Sequence, residues 1–113
     1  MYFVTKELQC KCGCGVSGVD ARALSMLNEL RKRWGKPMVL TSAYRCANHP
    51  VEAKKAKPGM HNTGLAFDIR TTPREQPKLI KLALEVGFKG FGFHKSFLHV
   101  DARDQDHISA WYY

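Results

Sequence analysis

The sequence predicts an α+β fold: a small, mostly antiparallel sheet with two main helices. Three observations lead there: two stretches carry apolar residues at three- and four-residue spacing, short runs of strand formers lie between and after them, and their order along the chain suits segregated helices and strands. At 113 residues the chain suits one hydrophobic core, so residues 1–113 are expected to form a single domain.

The first helix is expected over Asp20 to Trp34, where Ala23, Leu27, Leu30 and Trp34 mark one face. Asp20 can cap it, and Gly35-Lys36-Pro37 stops it. Met38 to Tyr44 is rich in strand formers and reads as a buried strand. From Arg45 to Gly64 the pattern gives way to Asn, His, Pro, Lys and Gly, a loop long enough to carry function. Leu65 to Arg70 reads as a short strand with Ala66, Asp68 and Arg70 on one face. Thr72-Pro73-Arg74-Glu75 has the form of a capping box, with Pro77 as a second candidate start for a helix whose stripe is Leu79, Ile80, Ala83 and Val86 and whose end is near Gly87. Phe88 to Asp101 reads as a hairpin turning around Lys95-Ser96, and the tail aromatics Trp111, Tyr112 and Tyr113 are expected to pack back on the domain.

Composition places the chain among ordinary globular proteins, with 44% hydrophobic and 25% charged residues. The net charge of +8 favours encounters with polyanions, which include nucleic acid, anionic lipid and the acidic polymers of a bacterial wall. Its basic residues are scattered without interleaved aromatics, which argues against a nucleic-acid groove. No run suits membrane insertion, and the first residues lack the basic head and apolar stretch of a secretion signal, so synthesis in the cytoplasm is expected; the protein is expected to be a monomer.

Catalytic zinc needs three nitrogen, sulfur or carboxylate ligands and one open position. His61 closes the long loop, Asp68 follows in a strand, and His99 stands in a later strand. Gly64 allows a tight backbone turn between the first two. Asp68 is flanked by Ala66, Phe67 and Ile69, where an unpaired carboxylate is costly to bury, so it needs a cation or strong donors.

Ser42-Ala43-Tyr44-Arg45, then His61-x-x-Gly64-x-Ala66-x-Asp68-Ile69, then His99-Val100-Asp101, in that order, resembles the zinc D-alanyl-D-alanine carboxypeptidase family and its phage endolysin relatives. That family shares a metal site with lysostaphin and the hedgehog signalling domain. The resemblance runs from the first helix to Trp111 and implies a hedgehog/D-Ala-D-Ala-peptidase-like fold. It makes His61, Asp68 and His99 the ligands of one catalytic zinc ion, and it matches Arg45 to an arginine that faces substrate. Ser42 and Tyr44 either line the same cleft or simply belong to the strand, and Trp111 is a further candidate for contact with substrate.

Many relatives have Asp or Glu three residues before the second ligand histidine, where this chain has Ser96. Two substitutes are nearby: His94, with a reference pKa suited to proton transfer, and Asp101, either a base or a group that orients a ligand. Cys10, Cys12, Cys14 and Cys46 are candidates for a second, structural metal, with His49, or for a disulfide in an oxidising space. His107 reads as a solvated tail residue.

The implied activity is hydrolysis of the peptide part of bacterial peptidoglycan, either between L-alanine and D-glutamate or at the terminal D-alanine. Without a signal, such an enzyme reaches the wall after release in phage or prophage lysis, or as a virion component. The rival is a zinc-containing module that binds cell wall, or builds a virion, without catalysis.

Overall fold

Asp20 opens the first helix as expected, because its carboxylate accepts the Ala23 N–H at 3.0 Å and so satisfies a donor that has no partner inside the helix. The computed structural model describes Phe3, Leu8, residues 18–43 and residues 64–113. Helix α1 spans Ala21–Trp34 and ends at Gly35, whose φ of 75° closes it in the left-handed conformation. Strand β1 (Leu40–Ser42) and strand β2 (Ala66–Arg70) follow among the described residues. Helix α2 (Gln76–Val86) leads into β3 (Gly90–Phe93), β4 (Phe97–Asp101) and β5 (Ser109–Tyr112).

The strands form one sheet in the order β1-β2-β4-β3-β5. Pairing is antiparallel from β1 to β3, and β5 adds to β3 in parallel, so the sheet is mixed. A connection from Ala102 to Ile108 carries the chain back across before β5 begins. The tail therefore packs back as a strand, although Tyr112 and Tyr113 keep their rings exposed.

One apolar cluster joins the helices to one face of the sheet. Ala23, Leu27, Leu30 and Trp34 of α1 meet Leu79 and Ala83 of α2, and beneath them lie Phe67, Ile69, Phe91, Leu98 and Val100. Phe3, Leu8 and Phe88 are buried in the same cluster. Alternation then turns Asp68, His99 and Asp101 to the opposite face.

One expectation needs correction, and one pair of alternatives is decided. Among the described residues 38–43 of that run, Leu40–Ser42 forms the strand and Val39 is 47% exposed; β1 stands at one end of the described strand order. The Thr72 capping box forms in part, with the Glu75 carboxylate accepting the Thr72 N–H and hydroxyl at 3.2 Å each, but helix α2 starts at Gln76 with Pro77 in its first turn. Residues 73–75 instead make a turn, consistent with the fixed φ that places proline at the beginning of helices. The predicted stop at Gly87 stands, with φ 117° and its N–H bonded to the Ala83 carbonyl.

Candidate metal centre

The register of β2 against β4 sets Asp68 directly opposite His99. Directly opposed residues share a face with their Cβ atoms about 4.5–5.5 Å apart, close enough for side chains to meet. Here Nδ1 of His99 lies 3.0 Å from Oδ1 of Asp68. Its other nitrogen, Nε2, lies 2.8 Å from Oδ2 of Asp101, two residues along the same strand. All three side chains are buried, with Asp101 fully enclosed. The imidazole is thus held between two carboxylates, one at each ring nitrogen.

Asp101 is itself held. Arg103 donates from Nε to Oδ1 at 2.7 Å and from Nη2 to Oδ2 at 2.8 Å. Burial alone would raise the Asp101 pKa, but the hydrogen bonds from Arg103 and His99 outweigh it and bring it down to about 2. Burial likewise disfavours the charged form of His99, and the two carboxylates overcome that to raise its pKa.

Beside this row the facing positions of β3 are glycines. Gly90 is paired with Asp101 and Gly92 with His99. A Cβ on Gly90 would collide with the Asp101 carboxylate, and one on Gly92 would come within 2.6 Å of Trp111 Nε1. The alternation Gly90-Phe91-Gly92-Phe93 gives β3 one smooth face toward the site and one bulky face toward the core. Trp111, paired with Gly92, lies across that smooth face with its ring 5.1 Å from His99, and the Arg103 guanidinium stacks on it at 5.1 Å.

His94 lies at the hairpin end, stacked on Phe97 at 4.6 Å. Its Nδ1 accepts the Ser96 N–H at 3.1 Å and is 2.9 Å from the Ser96 hydroxyl. A neutral ring accepting at Nδ1 carries its proton on Nε2. The rings of His94, Phe97, Tyr113, Trp111 and His99 form a continuous aromatic row with successive centroids 4.6–6.5 Å apart.

Ser42 is buried on β1 opposite Asp68, brought there by an irregularity that pairs Leu40 with Ile69 and Ser42 with Asp68. His107 is an exposed tail residue beside Asp106. His61, Arg45, Tyr44, His49, Cys10, Cys12, Cys14 and Cys46 lie outside the described residues. Among the described residues no group of three His, Cys, Asp or Glu is arranged to hold a metal ion. Two donors do converge: a carboxylate oxygen and an imidazole nitrogen 3.0 Å apart, the imidazole backed by a second carboxylate. That pairing of a ligand histidine with an outer carboxylate fits a divalent metal of the zinc type.

Sequence reasoning missed Arg103, Gly90, Gly92 and Tyr113. The strict Gly-Phe alternation in 90–93 was a visible sign of a strand with one bare face; nothing local marked Arg103.

A family model described as peptidase M15 matches residues 1–101, which include Asp68, His99 and Asp101. The chain belongs to the peptidase M15 family. Membership points to a metallopeptidase, and the α+β architecture is compatible with it. The M15 match stops at Asp101, so Arg103 and Trp111 lie beyond it. A search of curated proteins finds no match.

Proposed function

We propose that this M15 protein is a zinc peptidase that hydrolyses peptide bonds in the stem peptides of bacterial peptidoglycan. The observation that carries the reading is the buried file Asp68–His99–Asp101, in which one imidazole nitrogen faces a carboxylate and the other is anchored by a second. Asp68 and His99 would hold the ion, with His61 as third ligand by the order of the motif. When bound, zinc acts as a Lewis acid on the scissile carbonyl and brings the pKa of a coordinated water near 7.

The remaining work falls to the chain's own groups. Asp101 accepts the Nε2–H of His99 and is tied to Arg103, so its role is to orient the imidazole rather than to act as base. Arg45 supplies a guanidinium for the oxyanion or for a substrate carboxylate. His94 is the candidate for passing a proton to the departing amine, a role that requires its imidazolium form and so the loss of the Ser96 N–H bond at Nδ1. Trp111 supplies a flat wall over His99. The net charge of +8 favours approach to an anionic wall, reached on release during lysis or from a virion.

Purified cell wall is the test substrate, with new amino and carboxyl ends identified by mass spectrometry. New ends at L-alanyl-D-glutamate or D-alanyl-D-alanine bonds are expected. Ser96 in place of an acid, with its hydroxyl beside His94, favours a second reading, an inactive wall-binding module. That reading predicts retention on cell wall with no new ends, and no retention and no new ends would refute both. Elemental analysis should give about one zinc per chain, lost in His61→Ala, Asp68→Ala and His99→Ala.

A further inference from the structure

We propose that Arg103 is a positioning residue, which through Asp101 and Trp111 holds the His99 imidazole in the orientation that aims Nδ1 at Asp68. The inference rests on Asp68 and His99 being metal ligands. It concerns a residue outside the ligand set, on the segment that leaves β4.

The guanidinium acts on the imidazole from two sides. At the ring edge, its Nε and Nη2 grip both oxygens of Asp101 at 2.7 and 2.8 Å, and its backbone N–H adds a contact to Oδ1 at 3.3 Å. A carboxylate gripped at both oxygens cannot rotate freely, and Oδ2 is left pointing at Nε2 of His99, 2.8 Å away. On the ring face, the same guanidinium stacks over Trp111, whose indole lies 5.1 Å from the His99 ring. Gly90 and Gly92 keep the floor clear for both parts of this clamp.

Charge explains why the residue is a cation, and geometry why it is arginine. Asp101 is wholly enclosed, and a buried carboxylate without a compensating cation neutralises or turns away. Its hold on His99 would go with it. Lysine would restore the charge but, as a compact ammonium, neither the two-pronged grip nor the flat stack on Trp111.

The test compares the full-length chain with Arg103→Gln and Arg103→Lys by two readouts. One is zinc affinity by competition with a chelator; the other is the hydrogen-bonded Nε2–H resonance of His99 in the metal-free protein by NMR. Loss of an outer partner of a ligand histidine typically weakens metal binding by about 10–100-fold, and Arg103→Gln should fall in that range with its His99 resonance broadened or lost. Arg103→Lys should lie between it and the unaltered protein. Unaltered affinity and an unaltered resonance in Arg103→Gln would overturn the proposal, and full affinity in Arg103→Lys would overturn the two-pronged grip. Should Arg103→Gln fail to fold, the lysine variant decides by the same readouts. If the unaltered protein takes up no zinc, the metal reading of His99 fails, and the resonance alone decides Arg103: its loss in either variant upholds the clamp, its persistence refutes it.

Discussion

At the scale of single residues, the site turns on how a buried charge is made tolerable. Asp101 is enclosed yet ionised, because Arg103 and His99 stabilise the charge more than burial opposes it. Its folded pKa of about 2 lies below the ordinary 3.8, so its contribution to stability is complete above about pH 4 and is lost as pH falls through 2. A shift of that size corresponds to about 2 kcal/mol, so acid unfolding of the metal-free protein should show this loss, and Asp101→Asn should flatten the profile below pH 4. A profile unchanged by Asp101→Asn would refute the assignment. Gly90→Ala places a methyl where the carboxylate lies and should cost about 1–3 kcal/mol in denaturant unfolding, with parallel loss of zinc. Asp68 and His99 were legible in the sequence because a carboxylate in an apolar strand and an ordered motif single them out. Arg103 was not: an arginine two residues after a strand looks like any solvated arginine until its partner is known.

At the scale of elements, local chemistry set the boundaries wherever one residue had an unambiguous task. Asp20 and Gly35 bracket α1, and Asp20→Ala should lower stability by about 1 kcal/mol, measured by thermal or urea unfolding. The start of α2 was ambiguous because Thr72 and Pro77 both carry start signals; the turn at 73–75 uses the first and the helix uses the second. At β1, strand propensity overstated the length among the described residues: Leu40–Ser42 pairs with β2, and before it the Val39 carbonyl accepts the Arg70 N–H without Val39 entering the strand. The hairpin β3–β4 joins the two chemistries: its Phe91, Leu98 and Val100 side builds the core, and its Gly92, His99 and Asp101 side builds the site. His94 closes it, and His94→Ala should keep zinc while losing most hydrolysis; full hydrolysis in that variant removes His94 from the mechanism.

At the scale of the whole molecule, among the described residues α1 and α2 cover one face of the sheet, and Asp68, His99 and Asp101 gather on the other. Strand β5 completes that second face by laying Trp111 across Gly92. Its parallel pairing was not predictable from aromatic content, which says only that the tail has apolar area to bury. The charge of +8 acts at this scale too: hydrolysis of an anionic wall should slow as salt rises from about 50 to 300 mM, because screening shortens the reach of the field. A rate on whole cell wall indifferent to salt would exclude electrostatic steering.

By itself the sequence determined the α+β class, the first helix with its caps and the hairpin, and it singled out Asp68, His99, Asp101 and Trp111 among the residues that meet at the site. These follow from short-range periodicity and from residue types with one plausible use. Only the tertiary structure decided that Asp68 faces His99, that Asp101 meets the other nitrogen of the imidazole, and that Arg103 and Trp111 lie against the pair. Those contacts depend on strand register and on a returning tail strand. A slip of one residue between β2 and β4 would send His99 to the core face, and no local pattern encodes that pairing.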